Sequence, residues 1–178
     1  MQTKDDHRLH LIHVLHMAYS GEKAAAYAYN AHWKSLKNPD QRAAIKQIED
    51  EEWEHRRIVG QMLEFLTDKP QPWRELMMAT IGRTVGCACF LIGWFLPMYF
   101  AGRLEHDNVN EYAVAAGHAK ALGLTEFACE LMRLRDVELR HEQFFHGVIQ
   151  GHRLLPLLVS IYGWGVTVPQ IRQQANKN

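Results

Sequence analysis

The stretch that decides the fold is IKQIEDEEWEHRRIVGQM, residues 45–62. Its apolar residues recur at intervals of three and four, which is the spacing of one face of an α-helix and not the alternation of a β-strand. Two positions on that apolar face carry polar groups instead, the carboxyl of Glu52 and the imidazole of His55. The stretch therefore predicts a helix that buries one face in a core and carries a carboxylate and an imidazole into it.

Helical spacing continues on both sides of this stretch, and no segment combines strand alternation with tight-turn dipeptides. Capping residues, prolines and a glycine interrupt the pattern near residues 38–39, 68–72 and 123–125. We expect helices at roughly 8–37, 40–67, 73–122 and 126–151, then a short helix at 154–164 and a polar tail at 170–178. Pro97 is expected to kink the third helix. Four long helices with short connections predict an all-α four-helix bundle.

Length and composition favour one domain that does not bind nucleic acid. The chain has 178 residues, of which 47% are hydrophobic and 22% charged, which suits a single domain over residues 1–178. Twenty Lys and Arg balance twenty Asp and Glu, so the chain lacks the basic field that attracts nucleic acid. The first residues are polar and acidic and lack the apolar core of a signal peptide. We expect a cytoplasmic, bacterial protein.

A second Glu-x-x-His pair lies at mid-length of another predicted helix, at Glu138 and His141. The first and third predicted helices each carry one glutamate on the apolar face, Glu22 and Glu105. Each of these precedes a Glu-x-x-His pair at a similar distance, 30 residues to Glu52 and 33 residues to Glu138. The duplication indicates two halves of one site.

Four glutamates inside an apolar bundle require positive charge. Each buried, unpaired carboxylate costs several kcal/mol, and no Lys or Arg lies on these faces at that level. Two divalent cations would neutralise the four carboxylates, and the two neutral imidazoles would complete the coordination. This ligand pattern is that of the di-iron carboxylate bundles, and its mixture of oxygen and nitrogen suits iron or manganese. The predicted metal ligands are Glu22, Glu52, His55, Glu105, Glu138 and His141, with Glu111 as an alternative to Glu105.

The motifs between about residues 16 and 163 resemble those of the demethoxyubiquinone hydroxylases, which are ferritin-like di-iron monooxygenases of ubiquinone biosynthesis. The resemblance is carried by Ser20-Gly21-Glu22, Glu52-x-x-His55, Pro72-Trp73, Leu104-Glu105, Glu111-Tyr112 and RDVELRH at residues 135–141. It implies a ferritin-like four-helix bundle with an additional short C-terminal helix, and it favours Glu105 over Glu111 as the ligand. It also implies that Tyr112 lies near the iron and quinone site. Glu111 stands where the family usually has a histidine.

The same resemblance implies an enzyme that activates O2 at two iron ions, or at manganese, and hydroxylates a hydrophobic quinone-like small molecule. Electrons would come from an external donor, because the chain has no flavin or nicotinamide fingerprint. Two other classes stay open. One is a ferritin- or rubrerythrin-like protein that binds iron or handles peroxide, and the other is a non-catalytic, membrane-associated helical protein that binds no metal.

Residues 85–102 form an uncharged segment of 18 residues between Arg83 and Arg103, which is the lower edge of transmembrane length. A helix that is apolar on all sides cannot bury every face in a four-helix bundle. The segment therefore predicts a substrate groove, a peripheral contact with the inner membrane or a homodimer interface. A membrane span is less compatible with the return of Glu105 to the core. The residues assigned to the groove or membrane contact are Phe90, Trp94, Phe95, Met98 and Tyr99.

His32 lies on the apolar face of the first predicted helix, ten residues after Glu22. Buried imidazoles are normally hydrogen bonded. We therefore expect His32 to be a hydrogen-bonded core residue and not a metal ligand.

Overall fold

The computed structural model describes residues 3–165, which form six α-helices and no strand. The helices are α1 (Lys4–Ser35), α2 (Pro39–Phe65), α3 (Pro72–Cys89), α4 (Phe95–Ala121), α5 (Thr125–Ile149) and α6 (Leu155–Tyr162). The bundle consists of α1, α2, α4 and α5, while α3 packs outside against α1. The predicted all-α, ferritin-like bundle with a short C-terminal helix is confirmed. The predicted polar tail at 170–178 lies outside the described residues, and the single domain over 1–178 stays a prediction.

Local signals begin α2 and α3 at predicted breaks, whereas α1 begins at Lys4, before its predicted start at residue 8. Thr3 caps α1, because its hydroxyl accepts from the amide of Asp6 while the Asp6 carboxylate accepts from the amide of Thr3. Asn38 caps α2 because its side-chain oxygen accepts from the amides of Asp40 and Gln41, and Pro39 is the first helical residue. Pro72 begins α3, where a missing N–H removes no helical hydrogen bond. These signals are local, which is why the sequence alone reveals them.

The predicted third helix is wrong as a single element. Instead of a kinked helix over 73–122, the chain forms α3 and α4, separated by a turn at residues 90–94. Gly93 adopts a φ of 77°, in the left-handed region that glycine occupies without strain. Pro97 then lies in the first turn of α4, where its ring is tolerated. The turn allows α3 to leave the bundle and α4 to enter it. No helix within residues 3–165 is both long enough and apolar enough to cross a membrane.

Small residues bring α3 close to α1. A Cβ atom added at Gly82 would lie 2.8 Å from the Cα of Ala24, and one added at Gly86 would lie 2.7 Å from the Cβ of Ala31. Both separations are shorter than van der Waals contact. Only glycine permits this approach, so these two positions set the distance between the helices.

The core of the bundle has two apolar layers with a polar layer between them. Along α2, Ile45 and Ile48 belong to one layer and Val59 and Met62 to the other. Along α5, too, apolar residues lie on both sides of the polar positions. Leu131 is one of those that precede them, and other apolar residues follow them. The buried glutamates and histidines therefore lie in the middle of the bundle, between the two apolar layers.

Candidate metal centre

All six predicted metal ligands lie in the polar layer between the two apolar layers. Their side chains come from four different helices and are almost fully buried, with at most 3% of each residue exposed. They are Glu22 on α1, Glu52 and His55 on α2, Glu105 on α4, and Glu138 and His141 on α5. The structure thus brings together residues that are up to 119 positions apart in the sequence.

The donor atoms of these residues form two groups that share two carboxylates. Within each group, one donor atom from every residue lies within 4.8 Å of the others. The first group is Glu22, Glu52, His55 and Glu138, and the second is Glu52, Glu105, Glu138 and His141. Glu52 and Glu138 belong to both groups, as bridging carboxylates between two metal ions would. Each group offers three carboxylates and one imidazole, which is a suitable set for iron or manganese.

Seven side-chain atoms of the predicted ligands are buried without hydrogen-bond partners among the described residues. Unpartnered atoms are Oε2 of Glu22, both carboxylate oxygens of Glu52 and Glu138, and Nδ1 of His55 and His141. His55 Nδ1 lies 2.8 Å from Oε1 of Glu138, out of line for a hydrogen bond. Unsatisfied buried polar atoms are costly, and two cations would satisfy all of these together. The residues present therefore fit a dinuclear metal centre.

Crossed hydrogen bonds hold the two glutamates that do not bridge. The hydroxyl of Tyr112 on α4 donates to Glu22 on α1, and the hydroxyl of Tyr29 on α1 donates to Glu105 on α4. The amide of Asn108 also donates to Glu105, at 3.1 Å. Tyr112 lies beside the site, as the resemblance implies. The role of Tyr29 was not predicted, although each tyrosine follows a site glutamate by seven residues, and that repeated spacing could have revealed it.

Glu51 orients the imidazole of His141. The Nε2 atom of His141 donates to Oε2 of Glu51 at 2.6 Å, which leaves Nδ1 facing the site as the lone-pair nitrogen. Metal-binding histidines commonly donate their second nitrogen to a carboxylate in this way. Glu51 was missed because its position on α2 is off the apolar face, so only the approach of α5 gives it a partner.

The carboxylates influence one another strongly when no cation is bound. Burial, with repulsion from neighbouring carboxylates, raises the pKa of Glu52 and Glu105 well above the ordinary value. Burial also disfavours the charged form of Glu138, but the adjacent imidazoles of His141 and His55 lower its pKa overall. Burial opposes protonation of His141, yet Glu138 and Glu51 raise its pKa to about 9. The metal-free layer therefore retains protons that binding cations would displace.

Glu111, the alternative ligand, lies away from the donor groups. It is exposed and belongs to neither group, whereas Glu105 is fully buried and belongs to the second. Glu111 lines a small cavity of about 160 Å³ together with Arg74 and Tyr112. Burial, with repulsion from Asp107, raises the pKa of Glu111. The structure thus places Glu105, and not Glu111, at the centre.

A larger cavity of about 440 Å³ opens between α1, α3 and α4. Most of its lining is apolar, including Val85, Ile92 and Phe100. Tyr29 also lines it, and the hydroxyl of that residue contacts Glu105. The cavity therefore reaches the edge of the metal centre.

The five residues assigned to the groove or membrane contact do not line this cavity. Phe95, Met98 and Tyr99 are buried in an apolar layer of the core, which corrects their assignment. Phe90 and Trp94 are 59% and 43% exposed and lie in the turn between α3 and α4. Both side chains are therefore accessible for the predicted membrane contact. The error follows from the turn at residues 90–94, because it changes which residues face α1.

His32 is buried, with 2% of the residue exposed, but its Nε2 atom has no partner among the described residues. The expected hydrogen bond is therefore absent at this nitrogen. His32 belongs to neither donor group and instead lines the 440 Å³ cavity.

A comparison with protein families is consistent with this geometry. The family model described as ubiquinone biosynthesis protein COQ7 matches residues 10–144, a span that contains all six ligands and both tyrosines. Neither the curated proteins nor the solved structures gave a match. Because the matched span is well over half of the 178 residues, the chain belongs to the ubiquinone biosynthesis protein COQ7 family, a di-iron carboxylate family with a hydroxylase-type role in ubiquinone biosynthesis.

Proposed function

We propose that this protein is a di-iron monooxygenase that hydroxylates a hydrophobic, quinone-like aromatic ring. The observation that carries the proposal is the pair of buried donor groups that share Glu52 and Glu138. The cavity that ends on Tyr29 supports it, because it offers an apolar ring a place next to those groups. Membership of the family supports ubiquinone biosynthesis as the context.

The six ligands would hold two iron ions, with manganese as the alternative metal. When bound and reduced, iron supplies the activation of O2, of which one atom enters an aromatic C–H bond and the other leaves as water. The electrons come from an external donor. Glu52 and Glu138 belong to both donor groups and would be shared by the two ions, while Glu22 and Glu105 would each serve one ion, held in orientation by the tyrosine hydroxyls.

The chain itself provides a dry and rigid setting for this chemistry. The apolar layers on both sides of the site exclude water, which limits side reactions of activated oxygen. Glu51 fixes the tautomer of His141. Tyr29 separates the cavity from Glu105, so a ring bound there lies against the tyrosine and not in solvent.

An exposed apolar surface runs along α3 and the following turn and includes residues of the cavity lining, and we propose that it contacts a membrane peripherally. On α3 it includes Trp73, which is 75% exposed, and Ile81, and in the following turn it includes Leu91, which is 86% exposed. Val85 and Ile92 are exposed and also line the cavity. A hydrophobic substrate dissolved in lipid would therefore meet the opening directly. A homodimer formed through the same surface is the alternative.

Metal loading followed by turnover tests the function. The full chain is loaded anaerobically with ferrous iron, and we expect about two ions per chain because there are two donor groups. With a demethoxyubiquinone analogue, a chemical reductant and ¹⁸O2, mass spectrometry should find a hydroxylated product that carries one labelled atom.

Fewer than one ion per chain, or full loading without labelled product, would contradict the proposal. Peroxide consumption without hydroxylation would favour a rubrerythrin-like role, and a mineral-filled shell would favour a ferritin. Replacing Glu52 with Ala should abolish loading, whereas replacing Glu111 with Ala should not, because Glu111 lies outside both groups.

A further inference from the structure

His32 lines the 440 Å³ cavity, and its Nε2 atom is buried without a hydrogen-bond partner among the described residues. The other polar side chains of the lining have partners. Tyr29 donates to Glu105, Cys89 donates to the carbonyl of Val85, and Arg103 pairs with Asp107 at 3.9 Å. A buried polar atom without a partner, on a residue that lines an apolar cavity, indicates a position where a ligand supplies the missing hydrogen bond.

The chemistry of this group selects the kind of ligand. Burial lowers the pKa of His32 to about 4, so the imidazole is neutral near pH 7 and carries one donor and one acceptor nitrogen. A neutral imidazole favours a neutral oxygen, such as a carbonyl, hydroxyl or methoxy group. The apolar lining around it favours a ring that has few other polar groups.

The position of His32 relates this hydrogen bond to the metal centre. His32 and Tyr29 are three residues apart on α1, so they lie on the same side of the helix and about 4.5 Å apart along its axis. Both line the cavity, and the Tyr29 hydroxyl contacts Glu105. A ring held at His32 through one of its oxygens would therefore lie next to Tyr29, at the end of the cavity nearest the metal ligands.

We propose that His32 binds a ring oxygen of the aromatic substrate and thereby determines which rings the cavity accepts. The inference rests on the proposed function, because it names the group that recognises the substrate of the same site. It adds a specificity residue that lies outside the ligand set and outside the tyrosine pair.

Binding of two probes with the same tail tests this role in the full chain. The probes are 2,3-dimethoxy-5-methyl-6-decyl-1,4-benzoquinone and decylbenzene, which lacks ring oxygens, and affinity is measured by titration calorimetry. We expect His32→Leu to weaken quinone binding about tenfold, the upper range for one neutral hydrogen bond, and to leave decylbenzene binding unchanged. His32→Gln, which keeps a donor and an acceptor, should retain most of the quinone affinity. His13→Leu removes an exposed histidine of the same helix and should change neither affinity.

Equal losses for both probes with His32→Leu, or no loss for either, would overturn the inference. Circular dichroism melting of each variant checks the fold, and His32→Phe, which also lacks both imidazole nitrogens, should show the same selective loss of quinone affinity if the leucine variant does not fold. A selective loss of quinone affinity supports the inference even if no hydroxylated product forms, in which case only the proposed function fails. Product formation without any selective loss would overturn the role of His32 alone.

Discussion

Two tyrosines hold the glutamates that lie at opposite ends of the metal centre. Tyr29 belongs to the helix of Glu22 but bonds to Glu105, and Tyr112 belongs to the helix of Glu105 but bonds to Glu22. The hydrogen bonds therefore tie α1 to α4 at the level of the site. A carboxylate held in this way loses little freedom when a cation binds.

Removing either hydroxyl should weaken metal binding. We expect Tyr29→Phe and Tyr112→Phe each to lower metal affinity about tenfold, the usual effect of losing a hydrogen bond to a ligand, as measured by competition with a chromogenic chelator. Tyr27→Phe is the matched control, because Tyr27 packs against Trp53 and not against a ligand. Unchanged affinity in both site variants would show that the hydroxyls do not position the glutamates.

His141 should make the stability of the metal-free protein depend on pH. Its pKa is raised to about 9 in the folded state by Glu138 and Glu51, against the ordinary value of 6.5. His141 therefore binds its proton more tightly in the folded protein than in the unfolded protein. Its contribution to the free energy of unfolding is complete below pH 6.5 and is lost as the pH rises to 9. We expect the free energy of unfolding of metal-free protein to fall by about 2 kcal/mol over that range, measured by urea denaturation.

Glu51→Gln is the control for this pH dependence, since it removes one of the two carboxylates that stabilise the imidazolium. The variant should show a smaller fall between pH 6.5 and 9. A metal-free wild type whose stability rises over that range would contradict the assignment.

At the scale of elements, the placement of α3 depends on glycines that touch α1. Gly82 faces the backbone of Ala24, which cannot move aside as a flexible side chain can. The helix forms one wall of the cavity through Val85 and Ala88, so its distance from α1 also sets the cavity's width.

A methyl group at Gly82 should therefore destabilise the protein. We expect Gly82→Ala to lower the free energy of unfolding by about 1–3 kcal/mol through overpacking, measured by urea denaturation. Gly117→Ala is the matched control: Gly117 is a helical glycine whose Cβ would meet nothing within 4 Å, and the substitution should stabilise the protein by about 0.5–1 kcal/mol. Equal effects at the two positions would contradict close packing of α3 on α1.

The turn between α3 and α4 is the element that the sequence does not predict. Gly93 and Pro97 are both visible there, but helical spacing of apolar residues runs through the turn without interruption. Leu91 and Trp94 lie at helical intervals of fourteen and eleven residues before Glu105, yet they are exposed. Periodicity reports that residues are apolar at helical intervals, and it cannot report which neighbour they face.

At the scale of the whole molecule, exposed apolar side chains are most numerous on the outer side of α3 and in the following turn. Two of them, Val85 and Ile92, also line the cavity. Ion pairs such as Arg57–Glu54 and Arg133–Glu130 lie on the surface of the bundle helices. A large exposed apolar patch on a folded domain indicates a contact with lipid or with another protein.

A charge placed in this surface should weaken membrane binding. We expect Leu91→Glu to lower binding to phosphatidylethanolamine–phosphatidylglycerol vesicles about tenfold, as measured by vesicle flotation. The variant loses an apolar side chain that would insert into the lipid, and it places an acidic group against an anionic surface. Leu9→Glu is the control, since Leu9 is a comparably exposed leucine on α1, outside this surface. The surface would be a homodimer interface instead if the wild-type protein did not bind vesicles but formed dimers in light scattering, and if Leu91→Glu were monomeric.

Sequence alone determined the helical class of this protein, the start of α2 at its Asn38 cap and a set of candidate ligands in which Glu111 was an alternative to Glu105, because periodicity, capping and a charge on an apolar face are properties of neighbouring residues. Only the tertiary structure decided that Tyr29 reaches Glu105, that Glu51 reaches His141 and that His32 lies unpartnered in a cavity. Each of these contacts depends on the distance and rotation between helices, and those depend on the turn at 90–94 and on close glycine packing. Such quantities come from the packing of the whole chain, so no local pattern of residues contains them.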